Sequence, residues 1–383
     1  MRLALVTGSL VHGGAERQAI TLANRLAERG HDCHVIYVKN DPSQLGRLHL
    51  PVDATVRCLH ARRYFDVGAV SHLHALLARL APHALLATNP YALMYATLAN
   101  PGVPRVVTLH STYIRTLKEQ LQMAAYRPFF WSAACAVFVC ERQRSHWLRR
   151  ALFGRQNRVI YNGVDVEHWK PLDRVQTRAS ALRRLLGFGE GDYIIGLSAV
   201  LRPEKNPAQL VRAIAELIRR GLPARALFIG DGPERGAVLA MARKLRVADR
   251  VVISGLQENV RPFLSVCDVV ALTSFTEAFS LAAVEAMALA RPVVHPEVGG
   301  AAEMIHSGQD GWLFPVGDTA TLVDRLAVLA DPVVRARMGE NARATVVQRF
   351  SERVMVEAYE QLLIEICATG SKREQLRNRA TAH

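Results

Sequence analysis

"TEAFSLAAVEAMALARPVV", residues 276–294, sets Glu277 and Glu285 eight positions apart inside an almost wholly apolar run. The preceding "DVVALTS" reads as a buried strand, and "SLAAVEAMALA" as a helix that stops before Pro292. "FTEAF" is then the loop at the carboxyl end of a strand, where open α/β sheets collect their ligands. Ser280 can cap the helix, and the amides of Phe279, Ser280 and Leu281 can face an anion favoured by the helix dipole. Glu285 falls roughly 7 Å further along the axis at about 1.5 Å per residue, the reach from a phosphate to a pair of sugar hydroxyls. A carboxylate accepts hydrogen bonds from vicinal hydroxyls but repels a phosphate, and Glu277 on the loop can address a second sugar. Read as a surface residue and a helix cap, the two glutamates would leave their apolar surroundings unexplained.

Working outward, "RLALVTG", "CHVIYV", "ATVRCL", "HALLAT", "RVVTLH", "AVFVC" and "RVIYNG" alternate with helical patterns in the first half. The pattern pauses from Glu167 to Asp192. It restarts with "YIIGLSAV", "RALFIG", "RVVISG", "DVVALTS", "RPVVHP" and "GWLFPV". Strands alternating with helices predict parallel sheets, so the chain is expected to hold two doubly wound α/β domains in tandem. The expected boundaries are 1–168 for the first, 169–350 for the second, 351–370 for a terminal helix returning toward the first, and 371–383 for a polar, frayed tail.

The first strand is followed by "TGSLVHGGAER", in which Gly13 and Gly14 open a helix. Such a pair can bare backbone amides to an anion, and equally can serve a tight turn. A dinucleotide site would want G-x-G-x-x-G and an acidic residue ending the second strand, where Lys39 stands, so a dehydrogenase is disfavoured. In "SAVLRPEKNPAQLV", Arg202 and Lys205 lie between a strand and a helix. Guanidinium and ammonium three residues apart suit a diphosphate, although solvated surface charge would read the same.

The 383 residues are half hydrophobic and carry 48 Lys and Arg against 34 Asp and Glu, a net charge of +14. That balance favours an anionic partner: a substrate phosphate, an anionic lipid surface or nucleic acid. Against nucleic acid, the basic residues are dispersed and there is no zinc-ligand spacing or RNP-like segment. Six scattered cysteines read as buried thiols of a reducing compartment, and no metal-ligand spacing appears. The first strand breaks at Gly8 and does not read as a signal peptide, and the longest strongly apolar run, Phe129–Cys140, is too short to span a bilayer.

Taken in order, "GGAERQAITLANRLAERGH", "TLH", "IYNGVD", "RPEKN", "FIGDGPER", "ISGLQENV", "EAFSLAAVE" and "EVGGAAEMIHSGQDGWLFP" resemble the retaining glycosyltransferases of family 4 (group 1), over nearly the whole chain. The resemblance implies the GT-B fold, two Rossmann-like domains with a cleft between them. It implies a UDP- or GDP-sugar donor on the C-terminal domain, a glycan or lipid-linked acceptor on the N-terminal one, retention of configuration, and no bound metal or resident cofactor. Arg202 and Lys205 would hold the diphosphate, Glu285 the ribose hydroxyls, and Glu277 with the amides of Phe279, Ser280 and Leu281 the transferred sugar and its phosphate. Gly13 and Gly14 would approach from the opposite wall, and His110 would sit near the reacting sugar. Ser280 stands where many members have glycine, and Ser111 and Thr112 follow His110 where an acidic partner is common.

The segment Tyr113–Arg158 mixes aromatic side chains with many arginines, as a face resting on anionic lipid would. The expectation is a cytoplasmic enzyme visiting the inner membrane face during polysaccharide assembly. An epimerase or hydrolase, or a phosphorylase, on the same fold would share the donor site, and nucleotide release or phosphate dependence would separate them.

Overall fold

The computed structural model describes residues 1–11, 13–100, 102–112, 116–171 and 173–380. The chain divides into two compact units, Met1–Asn162 with Glu352–His383, and Gly163–Ser351. The first is built on β1 (Arg2–Thr7), β2 (Asp32–Tyr37), β3 (Val56–Cys58), β4 (Ala84–Ala87), β5 (Arg105–Leu109), β6 (Cys135–Phe138) and β7 (Gln156–Val159). They pair in the order β3-β2-β1-β4-β5-β6-β7, every pair parallel. The second is built on β8 (Tyr193–Ser198), β9 (Ala224–Ile229), β10 (Val251–Ile253), β11 (Val269–Ala271), β12 (Val293–Pro296) and β13 (Trp312–Phe314), ordered β10-β9-β8-β11-β12-β13 and again parallel.

Helices pack on both faces of such sheets, which is why strands such as "ALLA" and "CAVF" are apolar at every position and buried at every position. The helices show the complementary pattern. Ala208–Arg219 turns Leu210, Val211, Ile214 and Leu217 inward, each wholly buried against β8 and β9 residues such as Ile195 and Phe228. Each sheet reverses its strand order once, between β1 and β4 and between β8 and β11. The loops leaving the two strands at a reversal splay to opposite faces and open a crevice at their carboxyl ends.

Three elements differ from the sequence reading. A short helix, Val52–Thr55, precedes β3 where "ATVRCL" reads as one strand, because Pro51 starts a turn that the Thr55 hydroxyl closes by donating to the Pro51 carbonyl at 2.9 Å. The pause after residue 167 holds a helix, Asp173–Leu185, too polar to reveal itself by hydrophobic periodicity. The final helix runs from Glu352 to Ala380, through residues whose polarity reads as a tail. Residues 381–383 of that tail lie outside the described residues.

The last helix belongs to the core of the first unit. Met355, Val356, Tyr359, Leu362, Leu363 and Ile366 pack with Leu3, Leu5, Leu26 and Val137. Arg25 donates to Glu352 at 2.9 Å, and Arg29 and His31 meet Glu360 at 2.6 and 2.7 Å. Of the six cysteines, all free, four are buried, whereas Cys58 and Cys367 are partly exposed. Among the described residues no helix is long and apolar enough to cross a membrane.

Candidate functional site

In the second unit, the loops leaving β8 and β11 flank the strand-order reversal, and they carry most of the residues singled out from the sequence. Residues 203–205 form one tight helical turn after β8. The Phe275 amide donates to the Glu204 carbonyl at 2.8 Å, and the Thr273 hydroxyl donates to the Lys205 carbonyl at 2.8 Å. These bonds stitch the two loops together and bring side chains 72 positions apart into contact: Lys205 Nζ donates to Glu277 Oε1. The Ser274 hydroxyl donates to the same oxygen at 3.0 Å. Arg202 stands at the head of the turn, more than half exposed, with Glu204 Oε1 4.0 Å away. The ammonium is thus held by a carboxylate, while the guanidinium extends toward solvent.

Ser280 caps the helix Leu281–Ala288 by accepting from the Ala283 amide at 3.3 Å. The first amides of a helix have no acceptor within it, so this end has the polarity that an anion needs. Glu285 is buried in the middle of the same helix, 3% exposed among Ala283, Val284, Ala286 and Met287. Phe279 packs edge-on against Phe350, ring centroids 5.5 Å apart, which fixes the backbone just ahead of the cap.

Two glycine-bearing loops press on this arrangement. Gly232 has φ of +158°, and a Cβ there would strike the Leu201 backbone, whose amide and carbonyl are bonded to Asp231 and Glu234 at 2.9 Å each. Gly299, at φ +52°, lies so close under Glu277 that a Cβ would collide with the Glu277 and Ala278 carbonyls. The Gly300 amide donates to the Ala278 carbonyl at 2.8 Å.

His295, at the end of β12, is 1% exposed. Its Nδ1 lies 2.7 Å from the Pro296 carbonyl, which can only accept, so Nδ1 carries the proton and the buried Nε2 is left without a hydrogen-bond partner. Burial depresses its pKa, with the Pro296 hydrogen bond and Glu277 acting upward and Lys205 downward. Ser274, His295 and Gly299 were not singled out by the sequence; only the placement of "RPVVHP" at a strand end could have flagged the histidine.

In the first unit, Gly13 and Gly14 lie at the start of the helix Gly14–Glu28, Gly13 as its cap residue with extended backbone at φ −160°. Gly13 has no positive φ, and a Cβ there would meet only the movable carboxylate end of Glu16. Glu16 folds back over the helix start and accepts from its own backbone amide, while burial raises its pKa. A carboxylate therefore lies beside the helix start, while Gly13 and Gly14 themselves are exposed.

Glu16 and His110 line one cavity of about 330 Å³ at the carboxyl ends of β1, β4 and β5. Tyr91, Leu109, Met123, Tyr126 and Trp147 supply its apolar wall. Ser111 anchors the loop after β5: its carbonyl accepts from Gln143 Nε2 at 3.2 Å and from Trp147 Nε1 at 3.1 Å. The Thr108 hydroxyl lies 3.2 Å from His110 Nε2, leaving Nδ1 buried and without a partner among the described residues. Burial pushes the His110 pKa down to about 4, so the ring is neutral at neutral pH. Glu16 escaped the sequence reading, although "GGAER" displays it two residues after the glycine pair.

The profile of "Glycosyltransferase Family 4" matches residues 12–168, and that of "Glycosyl transferases group 1" matches residues 180–345. The chain is 27% identical to the N-acetyl-alpha-D-glucosaminyl L-malate synthase of Bacillus anthracis, over 92% of this chain and 94% of that protein. It is 30% identical to the alpha-D-kanosaminyltransferase of Streptomyces kanamyceticus, over 65% of this chain and 67% of that protein. Among solved structures, Anabaena HepE in complex with UDP and glucose superposes with a TM-score of 0.82 at 23% identity, covering 95% of this chain and all of that one.

Proposed function

Because this chain belongs to the family 4, group 1 glycosyltransferases and has their GT-B fold, we propose that it moves a sugar, with retention, from a nucleoside diphosphate to an acceptor hydroxyl. The observation that carries the donor side is the meeting of Lys205 with Glu277 beside the capped helix start of Ser280 and Leu281. In this reading Arg202 and Lys205 hold the diphosphate, the helix start takes the phosphate next to the sugar, and Glu285 takes the ribose hydroxyls. The HepE structure, which carries UDP and glucose, supports a UDP-sugar over a GDP-sugar as the first donor to test.

As the bond from the anomeric carbon to the phosphate oxygen breaks, charge gathers on the diphosphate. Arg202 and Lys205 stabilise that charge electrostatically, so the protein's own cations do the work that a divalent ion does elsewhere. The acceptor oxygen bonds the same face of the anomeric carbon, and its proton passes to the departing phosphate. Glu277 holds Lys205 in place before the donor arrives and then turns to the transferred sugar.

The acceptor belongs in the cavity of the first unit, lined by Glu16 and His110. A lipid-linked acceptor is supported by the surface nearby in sequence. Leu117, Leu121, Trp131 and Phe153 are exposed, the last two with ring centroids 6.3 Å apart, among the exposed Arg149, Arg150 and Arg155. Tyr113–Arg115 of the same segment lie outside the described residues. Such a face suits transient contact with the anionic cytoplasmic leaflet.

The test is a panel of nucleotide sugars read first by thermal shift, since a ligand of the folded state raises the melting temperature. The donor that stabilises the protein is then assayed for nucleotide release with and without acceptor, and the product's anomeric configuration is read by NMR. Release that needs no acceptor supports a hydrolase or epimerase instead. Vesicle binding that does not fall when lipid charge is removed argues against the proposed attraction to the anionic leaflet.

A further inference from the structure

We propose that the acceptor cavity of the first unit selects a sugar bearing a free, protonated amine, which Glu16 receives, and rejects acidic acceptors. The inference rests on the reading that this cavity holds the acceptor, and it adds the acceptor's chemical class.

Glu16 lines the cavity with its carboxylate half-buried, and it accepts from its own backbone amide. No described lysine or arginine lines the cavity with it. Lys39, 5.4 Å from the centroid of the Tyr91 ring, is not part of the lining. The other carboxylate present, Glu119, is engaged in a capping box with Thr116 at 3.1 and 3.2 Å. His110 contributes a neutral ring whose Nδ1 has no hydrogen-bond partner among the described residues.

A partly desolvated carboxylate without a cation is a costly arrangement. A ligand ammonium offsets that cost with a charge-assisted hydrogen bond, whereas a ligand carboxylate or phosphate adds like-charge repulsion. The apolar wall suits the ring face of a sugar, and His110 Nδ1 is placed for one of its hydroxyls. Charge complementarity thus commits the cavity to an amino sugar.

The experiment titrates the full-length protein, saturated with UDP, with methyl glucosaminide, methyl glucoside and glucuronate, followed by ligand-observed NMR. The wild type is expected to bind the amine about tenfold or more tightly than the neutral glycoside, the order set by one charge-assisted hydrogen bond, and to show no binding of glucuronate. Glu16→Gln should level the amine with the neutral sugar, and Glu16→Asp should restore part of the preference. Equal binding of all three probes, a preference that survives in Glu16→Gln, or no binding of the amine overturns the proposal. UDP binding, read in the same samples, checks that each variant is folded. Failure of UDP or any UDP-sugar to bind would instead count against the glycosyltransferase reading itself.

Discussion

Lys205 and Glu277 reach each other across the reversal of strand order between β8 and β11, the ammonium donating to Glu277 Oε1. Each comes from the loop after its own strand, so their meeting is a product of the sheet topology. The pair is mostly shielded, with side-chain exposures of 26% and 15%. Under the proposed reading, its ammonium is oriented before a diphosphate arrives, and little reorganisation is needed as charge develops.

Replacing Lys205 with alanine should lower kcat by about 10²–10³, the usual effect of removing one electrostatic contributor at a site of developing charge. Glu277 keeps its bond from Ser274, so the stability cost should be about 1–3 kcal/mol, that of leaving a shielded carboxylate underpaired. Steady-state transfer and urea unfolding measure the two effects separately. A folded variant with near-normal transfer would remove Lys205 from the mechanism.

Gly299→Ala tests the support under Glu277. The substitution puts a Cβ into the Glu277 and Ala278 carbonyls and forces alanine into a left-handed conformation, so both effects push the loop away from the β8 turn. A stability loss of about 1–3 kcal/mol is expected, with weaker UDP binding by calorimetry. The matching change at the exposed Gly191, which has open space around it, should leave both unaltered.

These relationships mark what the sequence could and could not convey. The strand runs and the glutamates of "TEAFSLAAVE" were legible because parallel strands buried on both faces read as continuous apolar segments, and because Pro292 and Ser280 bracket a short helix. Local spacing suggested that Arg202 and Lys205 would act as a pair. The contact of Lys205 with Glu277, and the more than half exposed position of Arg202 beside Glu204, could not be read from that spacing, since the 203–205 turn sets the direction of each side chain. Glu16 and His295 stayed hidden for a different reason: each acquires its role from burial. The polar helix Asp173–Leu185 carries too few apolar positions for periodicity to find it.

The pH dependence of stability should carry the signature of His110. Its pKa falls from an ordinary 6.5 to about 4 on folding, so between those values the unfolded chain binds a proton that the folded chain refuses. Stability from this group is complete above pH 6.5 and declines as the pH drops toward 4. In His110→Gln that slope is absent, and the gap between wild type and variant should narrow by roughly 1–3 kcal/mol from pH 7 to pH 4.5. Urea unfolding at pH 7, 5.5 and 4.5 measures it, and parallel pH profiles for the two proteins would contradict the depressed pKa of this ring.

The final helix should be indispensable as far as Ile366 and dispensable beyond Ala368. Met355, Val356, Tyr359, Leu362, Leu363 and Ile366 are each at most 4% exposed and complete the core beneath β1 and β6. Burying a large apolar side chain contributes about 1.5–3 kcal/mol, so six together contribute on the order of 10 kcal/mol, comparable with the whole stability of a typical domain at about 5–15 kcal/mol. A chain ending at Ser351 should therefore lose cooperative unfolding of the first unit, which calorimetry and near-UV circular dichroism would register. A chain ending at Ala368 keeps all six residues and the Arg29 and His31 contacts to Glu360, and its melting temperature should stay within a few degrees of the full-length value. Equal melting of the two truncated chains would show that the helix is an appendage to the first unit rather than part of its core.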